Sequence, residues 1–187
     1  MYTASDLRKG LRIMLDDDPY IVVDFQFVKP GKGQSLYRCK LRNLLVGTMM
    51  DRTFREVDTF KPAETQEKTM QFLYREGDHY NFMDTESYEQ IHLMEEQIGD
   101  AKNFLIENME VRILLFRERP IDITLPNFVD LVVTEAPPWI KGDTVSGNYK
   151  PVILETGYKV AVPPFIEQGE KIRIDTRSGE YLTRVKE

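Results

Sequence analysis

Val28-Lys29-Pro30-Gly31-Lys32-Gly33-Gln34 lies between two stretches that read as β-strands, 20–28 before it and 36–42 after it. The run predicts a hairpin tip. Pro30 fixes its own φ and has no N–H, while Gly31 and Gly33 permit positive φ and carry no side chain to shield a neighbour. Lys32 is thereby displayed at the end of a β-arm on a flexible four-carbon stem. Such a lysine suits contact with a deep anionic partner, or covalent modification of its amine. Taken alone, the heptapeptide reads first as a solvated loop tip, and the rest of the chain has to argue for more.

Beyond the tip, residues 36–42 alternate. Leu36, Arg38, Lys40 and Arg42 fall on one face, and Tyr37, Cys39 and Leu41 on the other. The pattern predicts an apolar face packed against a core and a basic stripe running down from Lys32. A stripe of one sign suits a row of phosphates. Before the tip, strands over 12–15 and 20–28 flank Asp16-Asp17-Asp18-Pro19, a hairpin signal. The hydrophobic pattern lapses over 60–66, which reads as a linker. Strands resume at 69–74 and 79–83, and apolar residues at helical spacing predict a helix over 95–109. Strands at 111–116 and 121–125 follow, with a second boundary near 126–129. The last third predicts strands at 129–134, 151–154, 158–162, 171–175 and 181–185, which suits a small Greek-key barrel of the OB type. The middle third is compatible with a second such barrel.

The net charge of the 187-residue chain is −6, but it is unevenly placed. Residues 1–64 carry +2, residues 65–128 carry −7 and residues 129–187 carry −1. Seven basic residues and a single acid, Asp51, fall within 29–55. An acidic protein with one basic arm can hold a polyanion in a defined orientation and be repelled elsewhere. No apolar run approaches the roughly 20 residues of a membrane span. Residues 1–12 mix charges and lack the apolar segment of a signal peptide. A lone cysteine, Cys39, excludes an internal disulfide and suits a reducing cytoplasm.

Catalytic chemistry is thinly supplied. His79 and His92 are the chain's two histidines, and neither has zinc-type spacing with Cys39. The three aspartates at 16–18 lack the alternation and central glycine of an EF-hand loop. Gly31-Lys32-Gly33 is not a P-loop, and no nucleophile–base constellation is present. The expectation is a non-enzyme without metal or cofactor. A second polar loop, Lys141-Gly142-Asp143-Thr144-Val145-Ser146-Gly147-Asn148, has two readings. Its glycines, hydroxyls and amide suit close contact with single-stranded RNA, and the same composition makes an ordinary barrel loop.

Taken together, the tip heptapeptide, Pro126-Asn127-Phe128-Val129, Lys141-Gly142-Asp143-Thr144, Val162-Pro163-Pro164-Phe165-Ile166 and Ile174-Asp175-Thr176-Arg177-Ser178-Gly179-Glu180-Tyr181 resemble the bacterial elongation factor P family, in that family's order. Val152, where the family usually has alanine, is a departure. The resemblance implies an all-β chain of three small barrels in an L-shaped, tRNA-like arrangement. A KOW/SH3-like barrel over 1–64 would carry the lysine loop, followed by OB-type barrels over 65–128 and 129–187. It further implies binding to both ribosomal subunits beside the peptidyl-tRNA and relief of stalling at consecutive prolines. Lys32, supported by Pro30, Gly31 and Gly33, would reach the CCA end and be extended by a lysine-modifying enzyme. Lys29, Lys32, Arg38, Lys40 and Arg42 would face tRNA or rRNA. Gly142, Asp143, Thr144, Gly147 and Asn148 would lie at the small subunit and exit-site codon. The expected protein is a cytoplasmic monomer. The rival readings are a general OB-type single-strand nucleic-acid binder, which the acidic 65–128 segment disfavours, and a paralogous factor acting on other stalls, which typically lacks the tip lysine.

Overall fold

A computed structural model describes residues 1–138 and 148–186. The regular structure of the described residues is mostly strand with little helix, and the chain divides by packing into two compact units, residues 1–67 with 114–122 and residues 68–113 with 123–187.

In the first unit, β1 (Tyr2–Thr3) is followed by β2 (Arg12–Leu15), β3 (Asp18–Val28), β4 (Leu36–Asn43), β5 (Met49–Arg55) and β6 (Thr59–Phe60). Strands β2-β3-β4-β5 form an antiparallel meander, and β1 pairs with β6. Each β2–β5 strand sends alternate residues inward, so Ile13, Val22, Tyr37, Cys39, Leu41 and Phe54 meet in one core, closed by Leu7, Leu11 and Phe60. The turn between β2 and β3 is tighter than the sequence suggests. Asp16 and Asp17 both take positive φ, 50° and 68°, as a two-residue hairpin of the primed type requires. Asp18 and Pro19 are therefore already in β3, where Pro19 lies opposite Met14; the fixed negative φ of proline bars it from the turn itself.

The expected linker over 60–66 is stitched to this barrel instead. The Met14 N–H donates to the Lys61 carbonyl at 2.9 Å and the Ala63 N–H to the Arg12 carbonyl at 3.2 Å, with Phe60 and Ala63 both buried. Two anchoring apolar residues were enough to hold a stretch whose polarity hid its pairing.

The next strands are β7 (Thr65–Glu76), β8 (His79–Asp84), β9 (Gln90–Met94), β10 (Glu110–Phe116) and β11 (Arg119–Thr124), in a sheet of order β11-β10-β7-β8-β9. Phe72 packs its ring on Tyr80 and Phe82, with centroids 6.0 and 5.4 Å apart. The expected helix over 95–109 forms only in part. Helix α1 (Glu95–Ile98) lasts four residues, and a 3-10 turn covers Gly99–Asn103. Gly99 at φ 53° ends the α-helix, and Asn108 at φ 68° reverses the chain just before β10. The apolar spacing was real, but the backbone at Gly99 interrupts its period.

Strands β12 (Phe128–Glu135), β13 (Lys150–Leu154), β14 (Lys159–Val162), β15 (Lys171–Asp175) and β16 (Glu180–Arg184) form the last sheet, order β14-β13-β12-β15-β16. Leu131, Val133, Val152, Leu154, Val162, Ile166, Ile172 and Ile174 fill its interior. The departure at Val152 is thus a core position, where an added branch occupies packed space.

One turn recurs in each of the three larger sheets. Asn43 Oδ1 accepts the N–H groups of Leu45 and Val46 at 2.8 and 3.2 Å, and its carbonyl accepts the Gly47 N–H at 2.9 Å. Asp84 does the same for Glu86, Ser87 and Tyr88, at 2.8, 3.3 and 2.9 Å. Asp175 takes Arg177 on its side chain at 2.9 Å and Gly179 on its carbonyl at 2.7 Å. The side chain substitutes for the pairing that the turn interrupts. The fifth residue takes positive φ each time: 77° at Gly47, 61° at Tyr88, 75° at Gly179. Only Tyr88 bears a side chain there, and it is 70% exposed. A left-handed conformation costs an L-residue about 1–2 kcal/mol, partly offset by the greater unfolded freedom of glycine. Tyr88→Gly should therefore stabilise the chain by about 0.5–1 kcal/mol in urea unfolding; a loss of stability would show that the exposed ring makes contacts the strain argument ignores.

Candidate nucleic-acid interface

Strands β3 and β4 pair continuously from Tyr20 opposite Asn43 to Val28 opposite Leu36, with a register shift between Val22 and Asp24. The segment 29–35 caps this arm. The Gly33 N–H donates to the Pro30 carbonyl at 3.2 Å, closing the tip. Neither Gly31 nor Gly33 takes a positive φ, contrary to the reason first given for them. A Cβ on Gly33 would stand in ordinary contact with the Pro30 ring at 3.4 Å, and nothing lies within 4 Å of one on Gly31. Lys29, Pro30, Gly31, Lys32 and Gly33 are all exposed.

The inner face of the arm is aromatic near the tip. Tyr37 sits between Phe25 and Phe27, with ring centroids at 6.1 and 5.2 Å, and Phe27 is half-exposed because the arm runs past the barrel core. Cys39, next along, is buried, and desolvation pushes its thiol up to about 11. A thiol of this kind is a packing group with little thiolate at neutral pH.

The outer face places Arg38, Lys40 and Arg42 in a row, but their surroundings differ. Arg38 lies opposite Gln26 on β3 and Thr53 on β5, both neutral. Lys40 lies opposite Asp24 and Asp51, so two carboxylates flank it across the sheet. Arg42 pairs with Asp122, Nη2 to Oδ2 at 3.5 Å. The stripe is therefore not the uniform cationic track its sequence suggests: Arg38 is its freest cation. Sequence reading noted Asp51 but missed the other two aspartates, because Asp24 is brought level with Lys40 by the register shift and Asp122 is eighty residues away from its partner.

The other polar loop is described only at Asn148, which is exposed; Gly142, Asp143, Thr144 and Gly147 lie outside the described residues. His79 and His92 are exposed on β8 and β9 with ring centroids 4.9 Å apart. Among the described residues no three His, Cys, Asp or Glu side chains gather as a metal-ligand set. Asp18, one of the 16–18 acids, instead accepts the Asn43 amide at 2.9 Å and braces the first recurring turn. No helix among the described residues is long and apolar enough to cross a membrane.

Two of the quoted motifs lock onto each other in the last barrel. Thr176 donates its N–H to the Asn127 carbonyl at 2.9 Å and its hydroxyl to the Pro126 carbonyl at 2.6 Å. Arg177 forks onto Asp175 at 3.0 and 2.9 Å and lies over the Phe128 ring at 5.4 Å. The fork lowers the Asp175 carboxyl below the usual range. The Tyr158 hydroxyl donates to the Gly179 carbonyl at 3.0 Å. These motif residues are structural.

Three domain-family models match the chain in sequence. They are the elongation factor P KOW-like domain over 3–60, the elongation factor P OB domain over 65–123 and the elongation factor P C-terminal domain over 129–184. The chain belongs to the elongation factor P family. Its similarity to individual members is extensive: it is 68% identical to an elongation factor P from Syntrophus aciditrophicus and 58% identical to elongation factor P 2 from Geobacter sulfurreducens, each over 100% of both chains. Among solved structures, "eukaryotic translation initiation factor 5A" from Methanococcus jannaschii superposes with a TM-score of 0.53 at 24% identity, covering 66% of this chain and 93% of that one. That likeness is one of fold. The elongation factor P assignment makes the chain an all-β protein with KOW-like and OB barrels and gives it a role in translation elongation.

Proposed function

We propose that the chain binds the ribosome, touching both subunits, beside the peptidyl-tRNA and speeds peptide-bond formation where consecutive prolines stall it. The observation that carries this reading is Lys32, exposed at the tip of a paired β-arm in a chain whose sequence matches elongation factor P domains from residue 3 to residue 184. Proline is a poor donor and acceptor because its ring restricts the approach of the reacting groups. A factor that holds the CCA end in a reactive pose lowers the entropic part of the barrier and need supply no acid, base or nucleophile. The chain acts as a positioning factor and not as an enzyme, in the cytoplasm and as a monomer.

On this reading Lys32 reaches the CCA end and is the substrate of a lysine-modifying enzyme. Lys29 and Arg38 meet tRNA or rRNA phosphates directly, Lys40 does so with two carboxylates opposite it, and Arg42 does so only by exchanging its Asp122 partner for phosphate. The −7 charge of 65–128 keeps that segment off RNA. The loop containing Gly142, Asp143, Thr144, Gly147 and Asn148 reads the exit-site codon region. The functional domains are 1–64, 65–128 and 129–187. Reconstituted translation of a message with consecutive prolines tests the proposal: adding the chain must raise the yield of full-length product selectively on that message, and equal yield with and without it would refute the reading.

A further inference from the structure

A cavity of about 380 Å³ opens on the first unit away from the lysine arm, lined by Tyr2, Arg8, Lys9, Gly10, Arg12 and Thr65 among others. Three of its lining residues are cationic and none is acidic. Arg8, Lys9 and Arg12 make no ion pair among the described residues. The nearest acid in sequence, Asp6, is already engaged: its carboxylate accepts the Thr3 N–H at 2.8 Å and the Thr3 hydroxyl at 2.9 Å. Among the described residues Arg8 donates to a backbone carbonyl, that of Asp6, at 3.4 Å; the Asp6 carboxyl, lowered chiefly by the Thr3 bonds, is lowered slightly further by the Arg8 charge. Arg12 donates through Nη1 to the Thr65 hydroxyl at 3.3 Å, and its Nε–H is enclosed with no acceptor among the described residues.

A buried donor left unpaired is destabilising, and folded proteins seldom keep one without a use. The arginine fork suits the oxygens of a phosphate, and a lysine beside it adds charge without fixing geometry. The outer face of β4 differs, since Asp122 already pairs with Arg42 there and two aspartates lie opposite Lys40. We propose that this cavity is a phosphate seat, taken by one or two backbone phosphates of an RNA that the first unit grips at a second point besides the arm. Arg8 and Lys9 neutralise the charge, and a small turn of the Arg12 guanidinium gives its Nε–H the acceptor it lacks. The inference deepens the proposed function and rests on it for the identity of the RNA.

The test is amide chemical-shift mapping of the full chain, titrated separately with inorganic phosphate and with deacylated tRNA. Both probes should move the Gly10, Leu11 and Thr65 amides. The Arg8→Glu/Lys9→Glu variant should lose both responses at an unchanged melting temperature, bind tRNA roughly tenfold more weakly, and show a salt dependence shallower by about one to two logarithmic slope units. If tRNA shifts Arg38 and its neighbours but leaves Gly10 and Thr65 unmoved, the seat is refuted and the proposed function stands. If phosphate moves those amides while tRNA leaves them unmoved, the RNA source and with it the proposal is refuted, whereas the proposed function is decided separately by the translation assay on the proline message. Unchanged tRNA affinity in the double variant also overturns the proposal.

Discussion

Lys32→Ala should remove most of the stall relief proposed for the chain while leaving its fold and stability unchanged. The side chain is exposed and has no ion-pair partner among the described residues, so nothing in the folded protein is lost with it. On the proposed reading what is lost is one charge-assisted hydrogen bond at the tRNA terminus, worth about 1.5–3 kcal/mol. That corresponds to about 10- to 100-fold in the rate of bond formation at the stall. The loss falls on the rate with saturating factor more than on factor binding, because other cations also hold the RNA. Single-turnover peptide-bond formation on stalled ribosomes measures it directly. Full activity in the alanine variant would mean that the arm acts by shape alone. Lys32→Arg separates the two needs: it keeps the charge but removes the primary amine, so activity that depends on modification is lost there too.

Gly179→Ala should destabilise the last barrel by about 2–4 kcal/mol, the largest effect expected of so small a change. The φ of 75° costs an L-residue about 1–2 kcal/mol. A Cβ at this site would also lie 2.5 Å from the Tyr158 hydroxyl, which no real contact permits. The tyrosine must swing away, breaking its 3.0 Å bond to the Gly179 carbonyl and disturbing its edge-on packing against Phe104 at 5.1 Å. Losing that bond adds about 0.5–1.5 kcal/mol. Gly47→Ala, at the equivalent turn of the first barrel, meets nothing within 4 Å and serves as the control, costing the conformational part alone. Urea unfolding followed by far-UV circular dichroism compares them. Equal losses in the two variants would show that Tyr158 gives way freely and that the Tyr158–Gly179 contact contributes nothing.

The strands and the arm were legible because their signals are local. Alternation over 36–42 needs only its own seven residues, and burial follows it position by position, with Tyr37, Cys39 and Leu41 inside and Arg38 and Lys40 outside. The last barrel was readable for the same reason, with β15 (Lys171–Asp175) bounded as expected. What failed depended on single backbone angles or on distant partners. The 95–109 helix has the right apolar spacing, yet a positive φ at Gly99 ends it after four residues. The state of the basic stripe depends on Asp24, Asp51 and Asp122, which only register and long-range contact bring to it. The quoted motifs at 126–129 and 174–181 carry the family resemblance, but nothing in the sequence says that they bond to each other.

The central claim is that the Lys32 tip lies at the 3′ end of the peptidyl-tRNA. Gly31 is the place to probe it, since a side chain there meets nothing within 4 Å and Lys32 stays intact. Cys39 is buried with its thiol pushed up to about 11, so a Gly31→Cys variant is labelled selectively with an aryl azide. Photolysis on ribosomes halted at consecutive prolines should join the factor to the terminal CCA of the peptidyl-tRNA. Co-sedimentation of the labelled factor with those ribosomes, but with cross-links elsewhere and none to the CCA end, would contradict the account.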